Sequence, residues 1–226
     1  MTADPDVQDG QAPLRADARR NRDQIIAAAK VIFAAEGPNV PMEEVARKAA
    51  VGVGTLYRRF PDRESLIRAV ARDSFSQILA QAREAAAAEP TAWDALVRLL
   101  RQSRELQLSA QLAMHSPMAR AVIRDDPTTH RFRDAMFDTL DEVVHAAQAE
   151  GSLRADVDTG DVTVLLSLLL RRMRSTSGGA PNMGSERALG IMLDGLRAPS
   201  GSPLPGRPIT RADLDARQSP EAHEAG

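Results

Sequence analysis

Hydrophobic positions recur at helical spacing along nearly the whole chain, and the interruptions fall at Gly and Pro. Ile25, Ile26, Ala29, Ile32 and Phe33 lie on one helical stripe, which predicts a first helix from about Arg19 to Glu36. Gly37 and Pro38 stop it. Pro41 opens a second helix, where its missing N–H is no loss, and the helix runs through Val45, Ala46 and Ala49. A turn over Ala50 to Gly52 leads to a short third helix, Val53 to Arg59. Pro61 ends it, and Asp62 caps a long fourth helix that reaches about Ala88, with Glu64 in its first turn.

The second half continues in the same way. Thr91 and Asp94 form a capping-box variant that opens a fifth helix after Pro90. The stretch Glu105 to Arg124 reads as helical, with an interruption near Ser116 and Pro117. Asp125-Asp126-Pro127 is a further break, after which Thr128 caps a helix running to Glu150 and closed by Gly151. Asp158 or Thr159 starts a helix through about Arg174, and Gly178, Gly179 and Pro181 make a loop. A last helix covers about Ser185 to Arg197. From Pro199 onward Gly, Ser, Pro and charges dominate, a composition expected to stay disordered. The first 15 or so residues are expected to be mobile. The pattern is all-α, and no internal repeat is visible.

Composition narrows the chemistry. The chain has no cysteine, so disulfides, thiolate zinc sites and cysteine nucleophiles are excluded. The acidic, polar start MTADPDVQDG is no signal peptide. The longest apolar run, Val162 to Leu170, contains Ser167 and is about half of the ~20 residues that a membrane span needs. No membrane partner is expected, and the expected location is cytoplasmic. There is no G-x-S-x-G elbow and no P-loop, so no enzyme is expected. Glu142 and His145 have the Glu-x-x-His spacing of di-iron bundles, but such sites need two copies, and His115, His130 and His223 lack a Glu three positions earlier. With His130, Asp134 and Asp138 these residues read as a solvated polar face, and no metal or other cofactor is expected.

Charge is unevenly spread. The whole chain carries a formal net charge of −2, yet Pro13 to Arg72 holds 12 Lys and Arg against 7 Asp and Glu. A basic N-terminal part on an acidic remainder fits phosphate contacts confined to one end.

That end holds the most informative stretch, AVGVGTLYRRFPDRESL, residues 50 to 66. Behind the amphipathic segment Met42 to Ala49 it reads as a helix-turn-helix whose second helix enters a DNA major groove about 12 Å wide. Val45, Leu56 and Phe60 supply the packed side, and Thr55, Tyr57, Arg58 and Arg59 the free side. Gly52 and Gly54 leave room for backbone N–H groups to approach a phosphate. Arg15, Arg19, Arg20 and Arg22 form an arm or helix start suited to phosphates or a minor groove.

The region from about Ala18 to Ala71 resembles the TetR family of transcriptional regulators. The resemblance rests on Ile25-Ile26-Ala27-Ala28-Ala29 with Phe33 and Gly37, Glu44-Val45-Ala46, Gly54-Thr55-Leu56-Tyr57, Phe60, and Arg63-Glu64-Ser65-Leu66. It implies base and phosphate contacts at Arg47, at Val53, Gly54, Thr55, Tyr57 and Arg58, and at Arg63; Gly52 and Arg59 complete the expected DNA-binding set. Thr55 and Tyr57 would bond phosphates, and Arg58 would reach a base edge, with guanine its natural partner. The chain departs from the family at the turn. Ala50 replaces the common glycine, Gly52 the capping Ser or Thr, and Val53 a frequent Lys or Arg, offering contact to a thymine methyl instead.

The expected organisation is a disordered arm (1–16), a three-helix DNA-binding domain (17–77, with the helix-turn-helix at about 40–59), a helical ligand-binding and dimerisation domain (78–198), and a disordered tail (199–226). The resemblance implies a homodimer that binds a palindromic double-stranded operator and is released by a small-molecule effector of unknown identity. Trp93, Leu112, Met114 and Met118, with Phe132, Met136 and Phe137, are the expected effector contacts. The all-round apolar run of the penultimate helix needs two buried faces. Val162, Leu165, Leu166 and Leu169, with Leu189, Met192, Leu193 and Leu196 of the last helix, are therefore expected at a dimer interface. The competing reading is a helical ligand- or metal-sensing protein without specific DNA binding.

Overall fold

The computed structural model describes residues 11–101, 116–172, 183–199 and 201–218. Its elements are α1 (Gln11–Glu36), α2 (Met42–Lys48), α3 (Val53–Arg59), α4 (Arg63–Ala88), α5 (Ala92–Arg101), α6 (Pro117–Arg124), α7 (Pro127–Ala149), α8 (Thr159–Arg172), α9 (Met183–Leu196) and α10 (Arg211–Gln218). Among the described residues the β-structure is one isolated antiparallel bridge, Leu153 to Arg197. The chain divides into two compact units, Met1–Phe75 with Leu108–His130, and Ser76–Gln107 with Arg131–Gly226.

The first unit is built on the stripe seen in the sequence. Ile25, Ile26, Ala29 and Phe33 of α1 bury against Val45 and Ala46 of α2, Leu56 of α3, and Leu66, Ile67 and Val70 of α4. α1 ends because Gly37 takes φ +84° and its N–H reaches the Phe33 carbonyl at 3.0 Å. α2 ends in the same manner without a glycine. Ala50 sits at φ +54°, its N–H donates to Arg47 O at 3.2 Å, and the next N–H, of Val51, donates to Ala46 O at 3.0 Å. That pair of bonds is a Schellman motif, and it turns the chain sharply into α3. Asp62 then starts α4, with its carboxylate accepting the Ser65 N–H at 2.7 Å. Lys30 pairs with Asp73 at 2.8 Å to tie α1 to α4. Ala119 and Val122 of α6 close the core, with Ser116 capping α6 through the Ala119 N–H.

The second unit gathers Trp93, Leu96 and Leu100 of α5 with Val143, Val144 and Ala147 of α7, Val162 of α8, and Leu193 and Leu196 of α9. The Arg197 guanidinium lies 4.7 Å from the centroid of the Trp93 ring. Thr91 and Asp94 make the expected capping interaction, Asp94 N–H to Thr91 Oγ1 at 3.0 Å.

Three expectations are corrected. The arm expected over residues 1–16 is helical from Gln11, because α1 extends N-terminally beyond its packed stripe. The cap of α7 is Asp126 and not Thr128: the Asp126 carboxylate accepts the Thr129 N–H at 3.0 Å and Pro127 takes the first helical position. The tail expected to be disordered from Pro199 is ordered over 201–218. Its backbone N–H groups at Leu204 and Ile209 donate to Asp156 and Asp161, and it ends in α10.

Candidate nucleic-acid interface

α3 is held by one buried side chain and otherwise turned to solvent. Leu56 is fully buried, whereas Gly52, Val53, Gly54, Tyr57, Arg58 and Arg59 are exposed and Thr55 is half-buried. A seven-residue helix has too few residues to hold itself in water, so Leu56 and the flanking Phe60 fix it to α1 and α2 by packing. Val53 and Tyr57 are both 41% exposed, an unusual expense of apolar surface on a small unit. Gly52 caps α3 in extended conformation with no side-chain bond, and its carbonyl accepts the N–H groups of Thr55 and Leu56 at 2.9 and 3.1 Å.

The exposed polar groups are oriented by near neighbours. Arg58 Nη2 donates to Thr55 Oγ1 at 3.1 Å. The Tyr57 hydroxyl donates to Glu43 on α2 at 3.3 Å. Arg47, on the exposed side of α2, stands 4.0 Å from Glu44. Gly54 has open space where a Cβ would go, so nothing inside the protein asks for glycine there.

Arg63 differs from the rest. Its Nη1 donates to the Pro38 carbonyl at 2.7 Å and to the Val40 carbonyl, and the residue is half-buried. It pins the α1–α2 loop with one end of its guanidinium, a role invisible to sequence spacing. Glu43 is the reverse case, a residue of the face that sequence reading passed over. Its place in the first turn of α2, where the helix dipole favours an acid, accounts for it without any partner on α3.

In the second unit Trp93 and Phe137 are buried, and Phe132 and Met136 are half-buried on α7. Met118 packs on the core of the first unit. Leu112 and Met114 lie outside the described residues. A groove of about 480 Å³ in the second unit is lined by Arg83, Ala86 and Ala87 of α4 and by Ala135, Asp138, Thr139 and Glu142 of α7, none of them in the expected effector set. Of the expected interface residues, Val162, Leu193 and Leu196 are buried within the chain's own core, Leu165, Leu166, Leu189 and Met192 are half-buried, and the side chain of Leu169 is outside the description. Leu168 and Ile191, not singled out from the sequence, are 57% and 65% exposed on the same two helices. Among the described residues no group of His, Cys, Asp and Glu is arranged to hold a metal ion, and no helix is long and apolar enough to cross a membrane.

A small helical unit that presents the second helix of a helix-turn-helix to solvent has the architecture of a helix-turn-helix DNA-binding domain, here joined to a separate helical unit. Comparison with known proteins gives the family. The model of bacterial regulatory proteins of the TetR family matches residues 25–70, and that of the C-terminal domain of SbtR-like transcriptional regulators matches residues 89–198. The TetR transcription regulatory protein from Mycobacterium vanbaalenii is 35% identical with a TM-score of 0.60, over 82% of this chain and 100% of that one. The TetR transcriptional regulator SCO0520 from Streptomyces coelicolor is 32% identical with a TM-score of 0.61, over 78% of this chain and 98% of that one. An HTH-type transcriptional regulator of Staphylococcus aureus (strain USA300) is 41% identical over 54 residues, which is 24% of this chain and only 29% of that regulator's length. The chain belongs to the TetR family of transcriptional regulators.

Proposed function

We propose that the protein is a sequence-specific DNA-binding transcriptional regulator that acts as a homodimer, represses from a palindromic operator, and leaves it when a small molecule binds the second unit. The observation that carries this reading is α3 itself: a short helix anchored by Leu56 and the flanking Phe60, with Val53, Thr55, Tyr57, Arg58 and Arg59 available to a groove. Arg58 suits a guanine edge and Val53 a thymine methyl, while Tyr57, Arg47 and Thr55 suit phosphates. Arg63 would serve mainly by fixing the loop in front of α2.

Dimerisation would use the apolar face left open on α8 and α9, where Leu168 and Ile191 project and Leu165, Leu166, Leu189 and Met192 are only partly covered. Four such helices, two from each subunit, would bury that face, and the two copies of α3 would then read half-sites in successive major grooves. The effector would enter the second unit, with Phe132 and Met136 of α7 as contacts. It would act by binding better to the dimer geometry that fits DNA poorly.

Retention of genomic DNA fragments by the purified protein at physiological salt tests this reading. A small set of fragments sharing an inverted repeat is expected, with affinity falling steeply as salt rises. Retention of no fragment above background would favour a ligand-binding protein without specific DNA recognition.

A further inference from the structure

The segment after residue 198, where the match to the C-terminal family domain ends, returns across the second unit and touches three separate elements. Ser202 O accepts from Arg154 Nη2 at 2.7 Å, and the Leu204 N–H donates to Asp156 at 3.0 Å. The Ile209 N–H donates to Asp161 of α8 at 3.1 Å. Arg211 reaches α7, where its guanidinium bonds Asp138, stands 3.4 Å from Asp134 and lies 5.5 Å from the centroid of the Phe137 ring.

The receiving surface is shaped for this segment. Gly160, in the first turn of α8, is crossed by the backbone of residues 209 and 210. A Cβ at position 160 would stand 2.6 Å from the Ile209 carbonyl carbon and 2.7 Å from the Thr210 carbonyl oxygen. The φ of Gly160 is not positive, so the helix needs no glycine there, and the passing chain does. Two carboxylates, Asp156 and Asp161, meet the backbone N–H groups of Leu204 and Ile209, and two more on α7 meet an arginine. Arg154 and the Leu204 N–H hold Asp156 below the usual carboxylate range, so it stays an anion in mild acid.

The segment gives little apolar surface in return. None of residues 201–214 is buried, and Leu204 is 46% exposed. Contacts made of hydrogen bonds and partly exposed ion pairs are the kind that open before a core does.

We propose that the Asp134–Asp138 edge of α7, Gly160 and Asp161 of α8, and Asp156 together form a peptide-docking face whose ligand is an extended, arginine-bearing segment, and that residues 202–211 of the same chain fill it as a detachable latch. The latch covers Phe137 and neutralises the acidic edge of α7 while docked. It opens as one piece, leaving the unit beneath it folded.

Hydrogen exchange of the full-length protein, read at single amides, tests this. The Leu204 and Ile209 amides are expected to be protected at least about tenfold, to exchange faster than the buried amides of α7, and to respond together to denaturant. Gly160→Ala is expected to abolish their protection while the amides of α8 keep theirs, because alanine favours the helix that it joins. Arg211→Ala, which leaves α8 untouched, is expected to reduce the same protection, and added salt to do so in wild type. Wild-type amides that exchange at unprotected rates would overturn the proposal. So would exchange only through global unfolding, or protection unchanged in both variants.

Discussion

The hydroxyl of Thr55 accepts a hydrogen bond from Nη2 of Arg58, one turn along α3, at 3.1 Å. The longest cationic side chain at the centre of the exposed face is thereby tethered to its own helix before any DNA arrives. An arginine carries about 2 kcal/mol of rotamer entropy, and a tether that removes part of it in advance favours bidentate contact with one base. Thr55→Val keeps the shape and deletes the acceptor. It is expected to narrow the affinity gap between the operator and its single-base variants by about tenfold at one position, within the ~1–3 kcal/mol that a bidentate base contact supplies. Thr55→Ser should retain the gap. A uniform loss across all variants, measured by competition binding, would place Thr55 on a phosphate only.

Two residues near the turn have side chains opposite to what the backbone prefers. Ala50 holds φ +54°, which costs an L-residue about 1–2 kcal/mol, while Gly54 sits in a helix with open space around its Cα. Ala50→Gly is expected to stabilise the protein by about 0.5–1 kcal/mol after the added chain entropy, seen as a higher denaturation midpoint with operator affinity unchanged. Gly54→Ala is expected to stabilise it by about 1 kcal/mol and to weaken operator binding about tenfold, because the methyl group would stand on the face proposed to meet DNA. Unchanged binding in Gly54→Ala would remove Gly54 from the interface.

Arg72 and Asp126 join α4 to the first turn of α7 inside the first unit. Arg72 Nε donates to Asp126 at 2.8 Å, a second bond comes from Nη2, and Asp126 also accepts from the hydroxyl and N–H of Thr129. The guanidinium, opposed in part by burial and aided by Thr129, holds the carboxyl well below the ordinary aspartate range. A lowered folded-state pKa contributes stability above the unfolded value of about 4 and loses it as pH falls toward the folded value. Asp126→Asn is expected to cost about 2 kcal/mol at neutral pH, since Arg72 is partly exposed and keeps some hydration. The difference from wild type should shrink below about pH 4. A gap that stays constant into acid, in chemical denaturation followed across pH, would contradict the assignment.

Leu168 of α8 and Ile191 of α9 are exposed apolar side chains. Leu168→Glu and Ile191→Glu place charges where a partner surface is proposed, while Val162, Leu193 and Leu196 stay in the subunit's own core. Each variant is expected to run as a folded monomer by light scattering and to lose operator binding, because one half-site supplies too few contacts. Dimers that persist in both would move the interface elsewhere.

Much of this was legible in the chain, and the failures share a cause. Helices with an apolar stripe or a capping pair were readable within a residue or two: α3 from Val53 to Arg59, α4 after Asp62, and α5 at the Thr91–Asp94 pair. The family and the exposed face of α3 were readable because the local motif dictates them. Arg63 reads as a DNA contact from its place, yet one of its nitrogens turns back to carbonyls 23 and 25 residues away. The ordered tail was missed for the same reason. Its composition is that of a linker, and its partners at Asp156 and Asp161 are 48 residues distant. Side-chain direction and polar docking over such separations leave no periodic trace.

The central claim is that the solvent face of α3 reads DNA, and Arg58→Ala tests it most directly. Operator affinity and non-specific affinity are measured together by titration at fixed salt, with the oligomeric state checked in the same samples. The expected result is a protein of unchanged size whose operator binding falls by about tenfold or more and whose preference over random DNA largely collapses. An Arg58→Ala protein that still favours the operator as strongly as wild type would contradict it.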